Sequence, residues 1–196
     1  MLYEFCKALG FLLLKVFYGL SIRNNGVFPK RGPFILASNH ESNVDPVVLG
    51  VACPRQLYYL AKAELFRNKL FGAFLKKINV LPLHRNTSDI RMVRTALSLL
   101  ETKPIALFPQ GTRGGSFNAS KPGVGFLHRK TGVPVIAAYV RGTDTILPKG
   151  ATRLRKGTIC VTFSLVTDIS PEASSEEATQ KVIDAIKNLE DSKCHP

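Results

Sequence analysis

Short apolar runs, each followed by a stretch with helical spacing, recur along almost the whole 196-residue chain. Runs at 33–37, 56–61, 80–83, 104–109, 133–140 and 158–166 predict strands. Helical stretches are expected at 47–53 and 62–78, and again from a cap at Thr87 or Ser88 through Ile90, Val93, Leu97 and Leu100. A further helix spans Phe126 to Lys130 and ends at Gly132, and Ser174 with Glu177 makes a capping box for a closing helix to about Leu189. Pro54 and Pro104 stop the helices before them, while Pro134 sits near a strand's start, where proline is tolerated. Alternation of this kind builds a parallel sheet, because each parallel step needs a crossover. No repeat or linker interrupts it. The expectation is one α/β domain over residues 22–196, a mostly parallel mixed sheet flanked by helices, preceded by a separate helix in residues 1–21.

In residues 1–21 the longest uncharged run, 8–14, lies between Lys7 and Lys15. It is too short to span a bilayer, which takes about 20 apolar residues, and the basic leader and cleavage site of a signal peptide are missing. On a helix, Glu4, Lys7, Phe11, Lys15 and Tyr18 make one narrow stripe, and nearly everything else is apolar. Such a helix either packs into a core or lies sunk in a bilayer interface. The second reading suits Tyr3, Phe5, Phe11, Phe17 and Tyr18, and makes residues 1–21 a membrane-associating amphipathic helix. The stretch 62–78 poses the same choice. Its apolar positions 66, 70, 71, 74, 75 and 78 share a face edged by Arg67, Lys69, Lys76 and Lys77. That is either a core-facing helix with a solvated rim or a basic, aromatic membrane surface.

Lysine and arginine number 27 against 14 acidic residues, a net charge of +13. Such an excess implies an anionic partner: nucleic acid, an anionic membrane surface, or a phosphorylated substrate. No nucleic-acid module is recognisable, so that class is set aside. The basic turn 149–156 reads as a solvated loop or a lipid contact. Cys6, Cys53, Cys160 and Cys194 form no CxxC pair, so reduced thiols, a reducing compartment and no zinc site are expected.

Chemistry-bearing residues gather where two strands end. After the run 33–37 come Asn39, His40, Asn43 and Asp45 within seven positions. In α/β sheets such strand-to-helix corners hold ligand chemistry. His40 is the one residue here that exchanges a proton near neutral pH without special tuning. If residues 41–44 turn, Asp45 can accept the Nδ1 proton of His40 and leave Nε2 as a base. The structural alternative is equally specific, since Asp45 before Pro46 has the form of an N-cap and first helical residue. The run 104–109 leads into Gln110, Gly111, Thr112, Arg113, Gly114 and Gly115. Glycines there let backbone N–H groups approach an anion, and an arginine grips it with a two-pronged fork. The spacing is that of neither the P-loop nor the dinucleotide fingerprint.

Taken together, Asn39-His40-x4-Asp45 and the segment Phe108 to Arg113 resemble the glycerolipid acyltransferase family, in particular the 1-acyl-glycerol-3-phosphate (lysophosphatidic acid) acyltransferases. Lys62 to Leu65, followed by Gly72 and Arg85, is similar to that family's second motif, and Gly132 to Ile136 to its fourth. The resemblance covers residues 39–140 and implies a glycerol-3-phosphate acyltransferase-like fold. It implies transfer of an acyl group from acyl-CoA or acyl carrier protein to the hydroxyl of lysophosphatidic acid, giving phosphatidic acid. His40 and Asp45 match the catalytic HX4D dyad. Lys62, Arg85, Gln110, Gly111, Thr112 and Arg113 match acceptor-binding positions. Neither metal nor cofactor is implied beyond the acyl donor as co-substrate. Attack by the hydroxyl directly on the thioester agrees with the absence of a Gly-x-Ser-x-Gly elbow. The implied setting is the cytoplasmic face of the inner or plasma membrane, with the protein bound to one leaflet. At Gln110 the family usually has glutamate. Glutamine keeps the size and an acceptor, adds a donor and loses the charge. The change is compatible with weaker orientation of the acceptor, another lyso-lipid acceptor, or a catalytically silent lipid-binding relative.

Overall fold

Strand β2, Ile35–Ser38, is the centre on which the rest is laid down. The computed structural model describes all residues except 84–88, 112, 116, 118–121 and 192–196. The other strands are β1 (Ser21–Arg23), β3 (Tyr58–Lys62), β4 (Val80–Leu83), β5 (Ile105–Leu107), β6 (Val135–Arg141) and β7 (Cys160–Leu165). Among the described residues these seven form one sheet in the order β1-β7-β6-β2-β5-β3-β4. All neighbours are parallel except β6 and β7. The helices are α1 (Leu2–Tyr18), α2 (Asp45–Ala52), α3 (Lys69–Lys77), α4 (Asp89–Leu100), α5 (Gly123–Thr131), the single turn α6 (Thr143–Ile146) and α7 (Ser175–Asn188). The chain is thus a single α/β domain with a mostly parallel sheet between helices.

Alternation along β2 divides the core. Leu36 packs with Val48 and Leu49 of α2, Ile136 and Phe163 on one face. Ile35 and Ala37 point the other way, to Ala96 of α4, Leu127 of α5 and Val182 and Ile186 of α7. On that second side α5 and α7 touch so closely that a Cβ at Gly125 would collide with Ser175 O and Thr179. The capping box of α7 is present: Glu177 N–H donates to Ser174 Oγ, and Ser174 N–H to Glu177 Oε2.

Three local features differ from the sequence pattern. The short strand β1 was not expected; it pairs in parallel with β7, which lies far along the chain. The helical stretch 62–78 is broken. Strand β3 runs through Lys62, a 3-10 turn occupies Ala63–Phe66, and α3 starts only after Asn68. Asn68 accepts a hydrogen bond from Phe71 N–H, and this competition between side chain and backbone favours a new helix start. Cys6 and Cys53 are free thiols, but Cys160 is disulfide-bonded, because sequence spacing does not measure distance in space.

The polar stripe of helix α1 runs along the rim of its contact with the domain, with Lys7 and Tyr18 half-buried and Glu4, Phe11 and Lys15 exposed. Lys7 Nζ donates to Cys53 O, Lys15 Nζ to Leu20 O, and Gln56 Nε2 to Glu4 Oε1. Tyr3 Oη accepts from Leu57 N–H. Gly10 lets α1 come close to α2, since a Cβ there would meet Val51. Leu14 is the buried residue of the helix, whereas Phe5, Leu12, Val16 and Phe17 are exposed. Core packing therefore does not account for its apolar surface. Similarly, α3 buries Gly72 and Leu75 but exposes Leu70, Phe71 and Phe74.

Candidate active site

The parallel strands β2, β5 and β3 all deliver their C-terminal ends to one edge of the sheet, where the two motif loops meet. As β2 ends, Asn39 substitutes its amide for the next rung of the ladder. Its Nδ2 donates to Val140 O at 2.8 Å, and its Oδ1 accepts from Val140 N–H at 2.7 Å. Both contacts are buried, so the sheet is completed by a side chain while the backbone turns away at His40.

The turn is gathered by Asp45. Its Oδ2 accepts from Glu41 N–H and Ser42 N–H, each at 2.7 Å, and lies 2.9 Å from His40 Nδ1. Its Oδ1 accepts from the hydroxyl of Thr143 in α6. The N-cap of α2 is Val44, which makes no side-chain cap bond, and Asp45 is the first residue inside the helix. The capping alternative therefore fails. The carboxylate points back into the loop it organises. A carboxylate at Nδ1 keeps a proton on that nitrogen and leaves the Nε2 lone pair free. Asp45 is fully buried, while the His40 side chain keeps 17% of its surface open. Phe108 at the end of β5 stacks on the imidazole with ring centres 4.1 Å apart.

Two bridges hold the glycine-rich loop against this corner. Gly114 N–H donates to His40 O at 2.8 Å. Gln110 Oε1 accepts from His40 N–H, while its Nε2 donates to Gly115 O at 2.6 Å and to Glu41 Oε1 at 3.2 Å. Gln110 is buried. Gly111 and Gly114 have φ of 68° and 63°, the left-handed region that favours glycine.

Of the residues singled out from sequence, His40, Asp45, Gln110 and Gly111 thus come together. Arg113 lies in the same loop, partly exposed, and Lys62 is exposed at the end of β3. Neither cation has a hydrogen bond or ion pair to a described residue, so both are available to an anion. Arg85 and Thr112 lie outside the described residues. Sequence reasoning missed Thr143, for which no local signal exists, and the bridging part of Glu41. Among the described residues no cluster of histidine, cysteine and carboxylates is arranged to hold a metal.

Comparisons with known proteins point to one family. A model of the acyltransferase family matches residues 19–141. A 1-acyl-sn-glycerol-3-phosphate acyltransferase of Bacillus subtilis is 32% identical over 158 residues, covering 78% of this chain and 79% of its own. One from Streptococcus pneumoniae is 26% identical, over 74% of this chain and 56% of that protein. The crystal structure of the 1-acyl-sn-glycerophosphate acyltransferase of Thermotoga maritima superposes with a TM-score of 0.81 at 24% identity, over 98% of this chain and 81% of that one. The last comparison concerns the fold.

Proposed function

The chain belongs to the acyltransferase family, and we propose that it acylates lysophosphatidic acid to phosphatidic acid with acyl-CoA or acyl carrier protein as donor. The observation that carries this reading is the His40–Asp45 contact, with Nε2 left over at the open edge of the sheet. His40 Nε2 takes the proton of the acceptor hydroxyl as its oxygen attacks the thioester carbonyl. The tetrahedral intermediate collapses with loss of the thiolate, which the His40 proton neutralises. Asp45, held by two backbone amides and Thr143, fixes the imidazole and stabilises its charged form. Arg113 and Lys62 are assigned the acceptor's phosphate in this reading. The names of the Bacillus and Streptococcus relatives support lysophosphatidate as acceptor.

The outward apolar face of α1 supports residence on a membrane, without crossing it. No described helix is long and apolar enough to cross. Leu70, Phe71 and Phe74 of α3, beside exposed Arg67, Lys69, Lys76 and Lys77, offer a second contact with an anionic cytoplasmic leaflet. In this reading α1 lies in the headgroup layer and the lipid substrate reaches the site from it.

The test is thiol release from palmitoyl-CoA with and without lysophosphatidic acid, for wild type and His40→Ala. Acceptor-dependent release that the mutant loses is the expected result. Release that is independent of His40, or wild-type protein inert with both CoA and carrier-protein donors, refutes it.

A further inference from the structure

Gln110 has no hydrogen-bond donor left for a substrate. An amide NH2 has two donors; both are engaged inside the protein, by Gly115 O and Glu41 Oε1, and the amide oxygen takes His40 N–H. Burial leaves little of the side chain to touch anything else. The residues it joins belong to both halves of the site: His40 and Glu41 in the loop after β2, Gly115 in the loop that carries Arg113. We propose that Gln110 and Glu41 act as one positioning pair, which sets the place of the Arg113 loop relative to the His40 base. This inference rests on the acyl-transfer reading above and gives a physical account of glutamine where the family usually has glutamate.

Charge decides why the amide belongs at 110. Glu41 already brings a carboxylate to this spot, and Gly115 brings a carbonyl. A carboxylate at 110 would face both acceptors and could donate to neither, so glutamine is the side chain that satisfies the junction. The direction of the bonds follows: Gln110 donates, and Glu41 and Gly115 accept. Glu41 in turn is fixed at its backbone, where its N–H donates to Asp45 Oδ2. The pair is therefore continuous with the dyad. A shift at position 110 reaches His40 through its N–H and reaches Arg113 through the loop backbone. The consequence is a double kinetic signature. Displacement of His40 lowers kcat, while displacement of Arg113 raises KM for a phosphate-bearing acceptor.

The experiment is a four-protein cycle: wild type, Gln110→Glu, Glu41→Gln and the double exchange, each measured for kinetics and for thermal melting. Gln110→Glu is expected to lower kcat by about tenfold or more, to raise KM for lysophosphatidate, and to lower Tm by several degrees. Glu41→Gln keeps an acceptor for Gln110 and costs only a few-fold. In the double exchange the amide, moved to position 41, can donate to the carboxylate moved to position 110, so kcat and Tm recover relative to Gln110→Glu. A purely structural role would move Tm without the joint change in kcat and KM at a temperature where all four are folded. Gln110→Glu within about threefold of wild type, or a double exchange no better than that single variant, overturns the proposal. Should wild type fail to acylate lysophosphatidate, the substrate assignment falls, and the melting cycle still decides the pair: additive Tm changes refute it.

Discussion

Thr143 donates a hydrogen bond to Oδ1 of Asp45, although 98 positions separate them in the chain. The remaining oxygen, Oδ2, serves His40 and the two loop amides. The single helical turn after β6 thus completes the environment of a carboxylate at the start of α2.

Thr143→Val removes that donor with little change of volume and leaves a buried carboxylate oxygen unpaired. The expected cost is about 1–3 kcal/mol of stability, with a lower kcat, and Thr143→Ser should restore most of both. Thermal melts and steady-state rates check this. Equal values for valine and threonine would remove Thr143 from the dyad's support.

Arg113→Ala should raise KM for a phosphate-bearing acceptor by about tenfold and leave the melt nearly unchanged, because Arg113 binds no described residue. An unchanged KM would place the phosphate elsewhere.

Phe5→Ser with Phe17→Ser should weaken sedimentation with anionic vesicles without lowering Tm, since both rings are exposed at 64% and 68%. Leu14→Ala in the same helix should do the reverse and cost about 2–5 kcal/mol, because Leu14 is buried. Loss of stability in the phenylalanine pair would show that the face packs inward.

Burial pushes the Cys53 thiol from its ordinary 9.0 up to about 11. The folded form therefore holds a proton that the unfolded chain has released between those values, and stability falls as pH rises through that window. The contribution is about 2–3 kcal/mol by pH 11. Burial likewise raises Tyr3 to about 12, extending the decline upward. Urea midpoints taken from pH 8 to 11 should fall less steeply in Cys53→Val than in wild type. Parallel slopes would contradict the assignment.

Gly125→Ala should be among the most damaging small changes, at about 3 kcal/mol or more, because the added methyl meets Ser175 O and Thr179 of the facing helix. Gly123→Ala, where nothing lies within 4 Å, is the control. Equal melts for the two would mean that α5 and α7 can part without cost.

The alternation of strands and helices was legible because each signal is local: an apolar run, a cap, a proline. Strand β1 was not, since three half-buried residues carry little pattern and their partner is β7. Spacing placed Asp45 within reach of His40 but left the capping role open. The choice depended on whether the carboxylate turns toward the helix or back toward the loop, which only tertiary contacts decide. Thr143 had no signature at all. For α1 the polar stripe could be read, but not what it faces; Lys7 and Glu4 turned out to meet Cys53 O and Gln56.

Helix α2 has eight residues, and both of its ends are spoken for. At one end Asp45 holds the His40 ring, and at the other Val51 receives Gly10 of α1. About 12 Å of helix thus works as a ruler between the α1 contact and the His40–Asp45 pair. The seating of α1 and the position of the His40 ring cannot vary independently in such an arrangement. One residue inserted into α2 would rotate one end against the other by about 100°. It would then be orientation, more than stability, that fails.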